Sequence, residues 1–158
     1  RIPTRVWCLQ VLNDGTIVSG DSLGLVQFWD GRAGTLIQKF EHNTQGADVL
    51  DLAVSLDQKK IFASGVDPLV ACIERVPVPS STYSSSSTAT VSSTKWASTS
   101  GWRTHTHDVR GLAVVSMTDP LGSGGLATSL SEPRELLLSG GTDTKLGTYF
   151  VSDFKRWR

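Results

Sequence analysis

The chain has 158 residues and a mass of 17.0 kDa, enough for one ordinary domain and too little for two large ones. Its 15 Lys and Arg balance 15 Asp and Glu, so it lacks the cationic surplus that holds nucleic acid by bulk charge. Hydrophobic residues make up 39%, and the 15 glycines bring the apolar share near that of a chain that folds; no apolar run approaches the roughly 20 residues of a membrane helix. Cys8 and Cys72 are too few for a disulfide framework or a cysteine-based zinc site. Both sit in apolar runs, which predicts reduced, buried thiols and a cytosolic or nuclear setting. The chain opens on Arg1 without an initiator methionine or a signal-peptide pattern, as expected of a fragment.

No window sustains the apolar spacing of an amphipathic helix, whereas short alternating runs separated by Gly, Asp, Asn and Ser predict strands and turns throughout. The run Val6 to Val11 is a strand, and Asn13-Asp14-Gly15 is a tight turn in which Gly15 supplies positive φ. Strands follow from Thr16, from Leu25 and from Thr35. The unit then recurs. Val49 to Val54 repeats Val6 to Val11 at an offset of 43, and Ser64 lies 45 residues after Ser19. Leu69 to Glu74 takes the place of the third strand. A further copy starts at Val109, resumes at Glu135 and closes with Lys145 to Val151.

Four strands every 40 to 45 residues is the period of a WD40-type blade. The chain therefore reads as an all-β WD40 β-propeller of about three blades: 1–48, 49–108 and 109–158. A propeller has typically 4–8 blades, so the ring is incomplete and the chain is a fragment of a larger propeller. Two segments interrupt the period. In 80–100, 15 of 21 residues are Ser or Thr, which predicts a disordered loop between the third and fourth strands of the second blade, open to phosphorylation, with Trp96 or Trp102 marking where the fourth strand resumes. An insertion over 116–133 lengthens the third blade, and a basic tail ends it.

WD40 blades often carry a buried polar network of His, Ser or Thr, Asp and Trp, each member needing a partner. In the third blade His105, Ser139, Asp143 and Tyr149 stand at the corresponding spacing. The first blade keeps Ser19 and Trp29, with Leu23 at the turn position. The second keeps Ser64, with Pro68 in place of the turn Asp and Glu74 in place of the Trp. His, Ser and Asp together also describe a hydrolase triad, but no G-x-S-x-G elbow is present and Ser139 falls inside a strand. The string His105-Thr106-His107-Asp108 raises a metal site, yet no Cys or further His stands near it in that copy. The run Gly122 to Gly125 lacks the Lys of a phosphate loop. The expectation is a non-enzyme with no metal, cofactor, small-molecule substrate or membrane. Arg103, Arg110, Lys155, Arg156 and Arg158 are the candidate contacts to RNA or to an acidic partner.

Two sets of strings are more specific. Gly15 to Ser22, Val26 to Asp30 and Gly34 to Leu36 form the first; His105 to Arg110 and Ser139 to Thr144 form the second. Both resemble the cirhin family, WD40 proteins associated with U-three small nucleolar RNA. The resemblance implies a scaffold of the nucleolus that helps assemble the small-subunit processome for processing of pre-18S ribosomal RNA. It implies as partners other propeller proteins, pre-ribosomal RNA and the U-three small nucleolar ribonucleoprotein. The alternative is a WD40 module of another complex, such as a peptide or degron receptor.

Overall fold

A computed structural model describes residues 3–42, 45–78, 93–117 and 134–154. The described residues form eleven strands in three antiparallel sheets, with one short 3-10 turn at Val151–Asp153. The first sheet holds β1 (Val6–Val11), β2 (Thr16–Asp21), β3 (Leu25–Asp30) and β4 (Thr35–Glu41), side by side in chain order. The second holds β5 (Val49–Val54), β6 (Lys60–Gly65), β7 (Val70–Pro77) and β8 (Thr94–Trp102), again in order. The third holds β9 (Val109–Met117), β10 (Arg134–Gly141) and β11 (Leu146–Phe150).

Local chemistry sets these boundaries. The strands are rich in Val, Ile, Leu and aromatics, and their hairpins close on residues suited to tight turns. Gly15 adopts φ +86 between β1 and β2, while Asp14 Oδ1 accepts the Thr16 amide at 3.0 Å. At the β3–β4 turn Asp30 Oδ1 accepts from the Arg32 and Ala33 amides at 2.8 and 3.1 Å.

Each sheet buries one face on the next, and alternation along the strands decides which residues meet. Val18, Val26 and Phe28 of the first sheet pack on Leu52, Ile61, Ile73 and Trp96 of the second. Phe62, Val70 and Cys72, on the other face of the second sheet, pack on Val109, Leu137, Tyr149 and Phe154. Polar contacts add register. Gln10 Nε2 donates to Leu52 O at 2.9 Å, and Lys60 Nζ donates to Val151 O and Phe154 O at 3.2 and 2.8 Å. The Asp51 carboxylate accepts the Leu52 amide at 2.9 Å and, across the sheet boundary, the Leu112 amide at 2.6 Å. The first strands β1, β5 and β9 thus stand in succession along one side of the stack. Leu9 and Val11 point from the first sheet away from the second and are exposed.

The loop expected over 80–100 is corrected at its end, because Thr94–Trp102 is strand β8. Ser and Thr tolerate extended backbone, and buried Trp96 and Thr99 anchor the strand against β7. Trp96 lies 4.8 Å from Phe28 between ring centroids, under the Arg75 guanidinium at 4.7 Å. Residues 79–92 lie outside the described residues. The insertion expected from 116 likewise starts later: Ser116 and Met117 extend β9, paired with Glu135 and Arg134, and 118–133 lies outside the described residues. Cys72 is buried, Cys8 half-buried, and both are free thiols. Burial pushes them up to about 11 and about 12.

Candidate functional site

The third sheet brings His105, Ser139, Asp143 and Tyr149 together. His105 sits in the link from β8 to β9, Ser139 in β10, Asp143 in the β10–β11 turn and Tyr149 in β11. His105 Nδ1 lies 3.0 Å from Asp143 Oδ1, and His105 Nε2 lies 2.8 Å from Ser139 Oγ. An ionised carboxylate only accepts, so Nδ1 donates to it; with the ring neutral, Nε2 accepts the Ser139 hydroxyl proton. Ser139 Oγ in turn lies 3.2 Å from Tyr149 OH, which also meets Thr104 Oγ1. Asp143 Oδ2 accepts the Thr106 amide at 3.0 Å. The His105 hydrogen bond, then that of Thr106, holds the Asp143 carboxyl well below the usual carboxylate range.

This Ser-His-Asp connectivity is that of a hydrolytic triad, so access decides what it can do. Ser139 is 1% exposed and its Oγ is already shared with Tyr149. A substrate would reach it only if the second and third sheets parted. What the chain of hydrogen bonds can do in place is tie the β8–β9 link to two strands and a turn. Ser139→Ala is therefore expected to cost about 1–3 kcal/mol, by stranding a His105 nitrogen and removing one of the two partners of the Tyr149 hydroxyl. Chemical denaturation checks it, and an unchanged unfolding midpoint would remove the network from the account of stability.

In the first sheet Trp29 Nε1 donates to Ser19 Oγ at 3.0 Å. A residue that pattern reading passed over does the work of the turn there. Fully buried Asp21 accepts the Leu23 and Leu25 amides at 2.9 and 3.0 Å and the Gln27 amide group at 2.7 Å. Its signal was Asp21-Ser22-Leu23-Gly24, an acidic residue opening a turn.

The second sheet corrects the expected correspondence by one residue. Each first strand carries a bulged residue, namely Trp7, Leu50 and Arg110. Two residues further on, Leu9 faces Ser19 and Leu112 faces Ser139, but Leu52 faces Ala63. Ala63, not Ser64, holds the network position. Ile73, opposite Ile61 as Trp29 is opposite Ile17, stands where Glu74 was expected. Asp67, two residues past Gly65 as Asp143 is past Gly141, stands where Pro68 was expected. Ser64 is fully buried on the opposite face, and its Oγ has no partner among the described residues.

Among the described residues the two basic candidates, Arg103 and Arg110, each pair with a carboxylate. Arg103 pairs through both terminal nitrogens with Asp67, and Arg110 Nη2 lies 3.2 Å from Asp108 Oδ2. Lys155, Arg156 and Arg158 lie outside the described residues. Among the described residues no cluster of three or more His, Cys, Asp or Glu has the geometry to hold a metal ion. His42, which pattern reading left unassigned, is 6% exposed, and its ring nitrogens have no hydrogen-bond partner among the described residues.

Comparison with known proteins places this geometry. No family model matches the chain. It is 34% identical over 151 residues to U3 small nucleolar RNA-associated protein 4 of Schizosaccharomyces pombe, covering 96% of the chain and 17% of that protein. It is 37% identical over 142 residues to the homolog in Homo sapiens, covering 89% of the chain and 16% of that protein. The chain thus spans only about a sixth of the curated relatives it matches. Among solved structures, the WD40 repeats of RRP9 superpose with a TM-score of 0.61 at 17% identity, over 98% of the chain and 40% of the other. A chain of the Mitotic Checkpoint Complex superposes with 0.62 at 16% identity, over 100% of this chain and 37% of the other. Structures named for such different assemblies fit equally well, so this likeness carries the fold alone. The chain is a three-sheet segment of a WD40-type β-propeller, similar along most of its length to U3 small nucleolar RNA-associated protein 4.

Proposed function

We propose that the chain is part of a non-catalytic scaffold of nucleolar ribosome biogenesis, a cirhin-type component of the small-subunit processome acting on pre-18S ribosomal RNA. The observation that carries this reading is the 34% and 37% identity to U3 small nucleolar RNA-associated protein 4 of a yeast and of human, along 96% and 89% of the chain. The geometry supports it. The buried network offers no reachable nucleophile, and three sheets locked by shared apolar faces make a rigid platform. The three sheets with their turns serve as blades over 1–48, 49–108 and 109–158, and the buried His105 network holds the third one together. Partners are neighbouring propeller proteins and the U3 ribonucleoprotein. Arg103 and Arg110, whose side chains stay 58% and 63% exposed beside their carboxylates, are the candidate contacts to RNA phosphate or to an acidic partner.

The test is affinity purification of the tagged full-length protein from nucleolar extract, with RNA sequencing of the eluate. The expected result is enrichment of U3 small nucleolar RNA and pre-18S ribosomal RNA over a purification made with an unrelated WD40 propeller. Recovery no better than that control overturns the reading.

A further inference from the structure

The first strand of every sheet carries the same irregularity. β1, β5 and β9 each bulge at their second residue, at Trp7, Leu50 and Arg110. A bulge gives up ladder pairing and re-aims a side chain, and bulges gather next to functional sites. Because β1, β5 and β9 stand in succession along one side of the stack, the three bulges form a row across the sheets.

The row can be reached from solvent. Trp7 is 46% exposed, Leu50 is half-buried and the Arg110 side chain is 63% exposed. Trp7 is also held still. Its Nε1 donates at 2.9 Å to Oδ2 of Asp48, in the link that enters the second sheet, and the Arg5 guanidinium stands 6.0 Å from its ring centroid. The Asp48 bond ties two sheets together, yet it uses only the indole N–H and leaves the ring open. An exposed ring fixed in advance removes an ordering cost from any complex it enters. Trp and Arg are also the residue types that most often dominate protein interfaces.

Charge along the row narrows the occupant. Two carboxylates stand in it, Asp48 on the Trp7 indole and Asp108 on Arg110. A nucleic acid strand on this track would set phosphates against both, with Leu50 in its path. Arg110 gives Nη2 to Asp108 at 3.2 Å, and the rest of its five N–H donors can take a carboxylate from outside. Trp7 and Leu50 call instead for apolar contact. Neighbouring sheets stack about 10 Å apart, so Trp7 and Arg110 are separated by about 20 Å, the reach of about six residues of extended chain.

We propose that the bulge row is the docking track of an extended segment of a protein partner, which lays an apolar side chain on Trp7, passes over Leu50 and sets a carboxylate on Arg110. The inference rests on the proposed function only for the contact at Arg110, where it selects the acidic partner over RNA.

The experiment is selection on the whole chain from a display library of random peptides of about ten residues, long enough for the track. It contains no ribosomal component, so its failure leaves the U3 association standing. The chain is expected to enrich peptides with an apolar residue and an Asp or Glu about six positions apart. Trp7→Ala is expected to bind the enriched peptide about tenfold more weakly or worse. Arg110→Glu, an exposed change, is expected to exchange the acidic position for Lys or Arg, a reversal that loss of folding would not produce. The proposal is overturned by no enrichment over the bare support, by a consensus without the acidic position, by Arg110→Glu failing to select basic residues, or by undiminished binding to Trp7→Ala. An oligouridine strand that displaces the peptide at lower concentration than unlabelled peptide does overturns it in favour of RNA.

Discussion

Phe28→Ala is expected to destabilise the protein by about 3–5 kcal/mol, the largest loss from any single truncation at the joint between the first two sheets. Phe28 is fully buried. Its ring stands 4.8 Å from that of Trp96, in the neighbouring sheet, and 5.7 Å edge-on from that of Phe40 in its own. Removal costs the transfer energy of the ring and also leaves a cavity that rigid strands on both sides resist closing. Phe150→Ala is the internal comparison, since that ring is 42% exposed and its loss should cost about half as much or less. Urea unfolding of both variants checks the pair. Equal losses would mean that the sheets do not pack as described.

The second large effect comes from adding a single carbon. A Cβ on Gly65 would stand 1.9 Å from Asp48 O and 3.1 Å from Val49 Cα. Both are backbone, in the segment that leads into β5. That carbonyl already accepts the Val66 amide at 3.0 Å, and Gly65 pairs with Val49 beside the bulge. Yielding therefore means breaking the β5–β6 ladder where it starts. Gly65→Ala is expected to cost about 3 kcal/mol or more, seen as a lowered melting temperature or as loss of soluble protein. Gly111→Ala, at a position where a Cβ meets nothing within 4 Å, should leave the melting temperature in place. A silent Gly65→Ala would contradict the close approach.

These two positions also show which parts of the fold were legible beforehand. The strands were legible because alternation and turn chemistry are local: Val26, Phe28 and the Asn13-Asp14-Gly15 turn announce themselves within a few residues. The grouping of His105, Ser139, Asp143 and Tyr149 was legible because three members sit at fixed distances within one hairpin. The second sheet was misread by one residue because Ser64-Gly65 copies Ser19-Gly20 as a string, while pairing counts from the bulge in the preceding strand. No short string encodes where a bulge falls relative to a serine. Strand β8 was legible only at its tryptophans, Trp96 and Trp102, and not in its extent. Its Ser and Thr content reads as solvent-loving, and only Trp96 and Thr99 turning inward show that it pays to order the segment. The pairing of Asp67 with Arg103 was illegible because the two stand 36 residues apart, in the link before β7 and the link after β8.

Asp51 carries a mechanical consequence. Its two oxygens hold the Leu52 amide of its own strand and the Leu112 amide of the next sheet. Sliding β9 along β5 by one residue would carry the second amide about 3.3 Å away, beyond the reach of a hydrogen bond. Tilting the sheets about the carboxylate would stretch the bond far less. The side chain thus acts as an indexing pin: it forbids translation between neighbouring blades and tolerates a small rotation. A load applied by a partner at the far edge of the third sheet would then reach the second as torque rather than as slip.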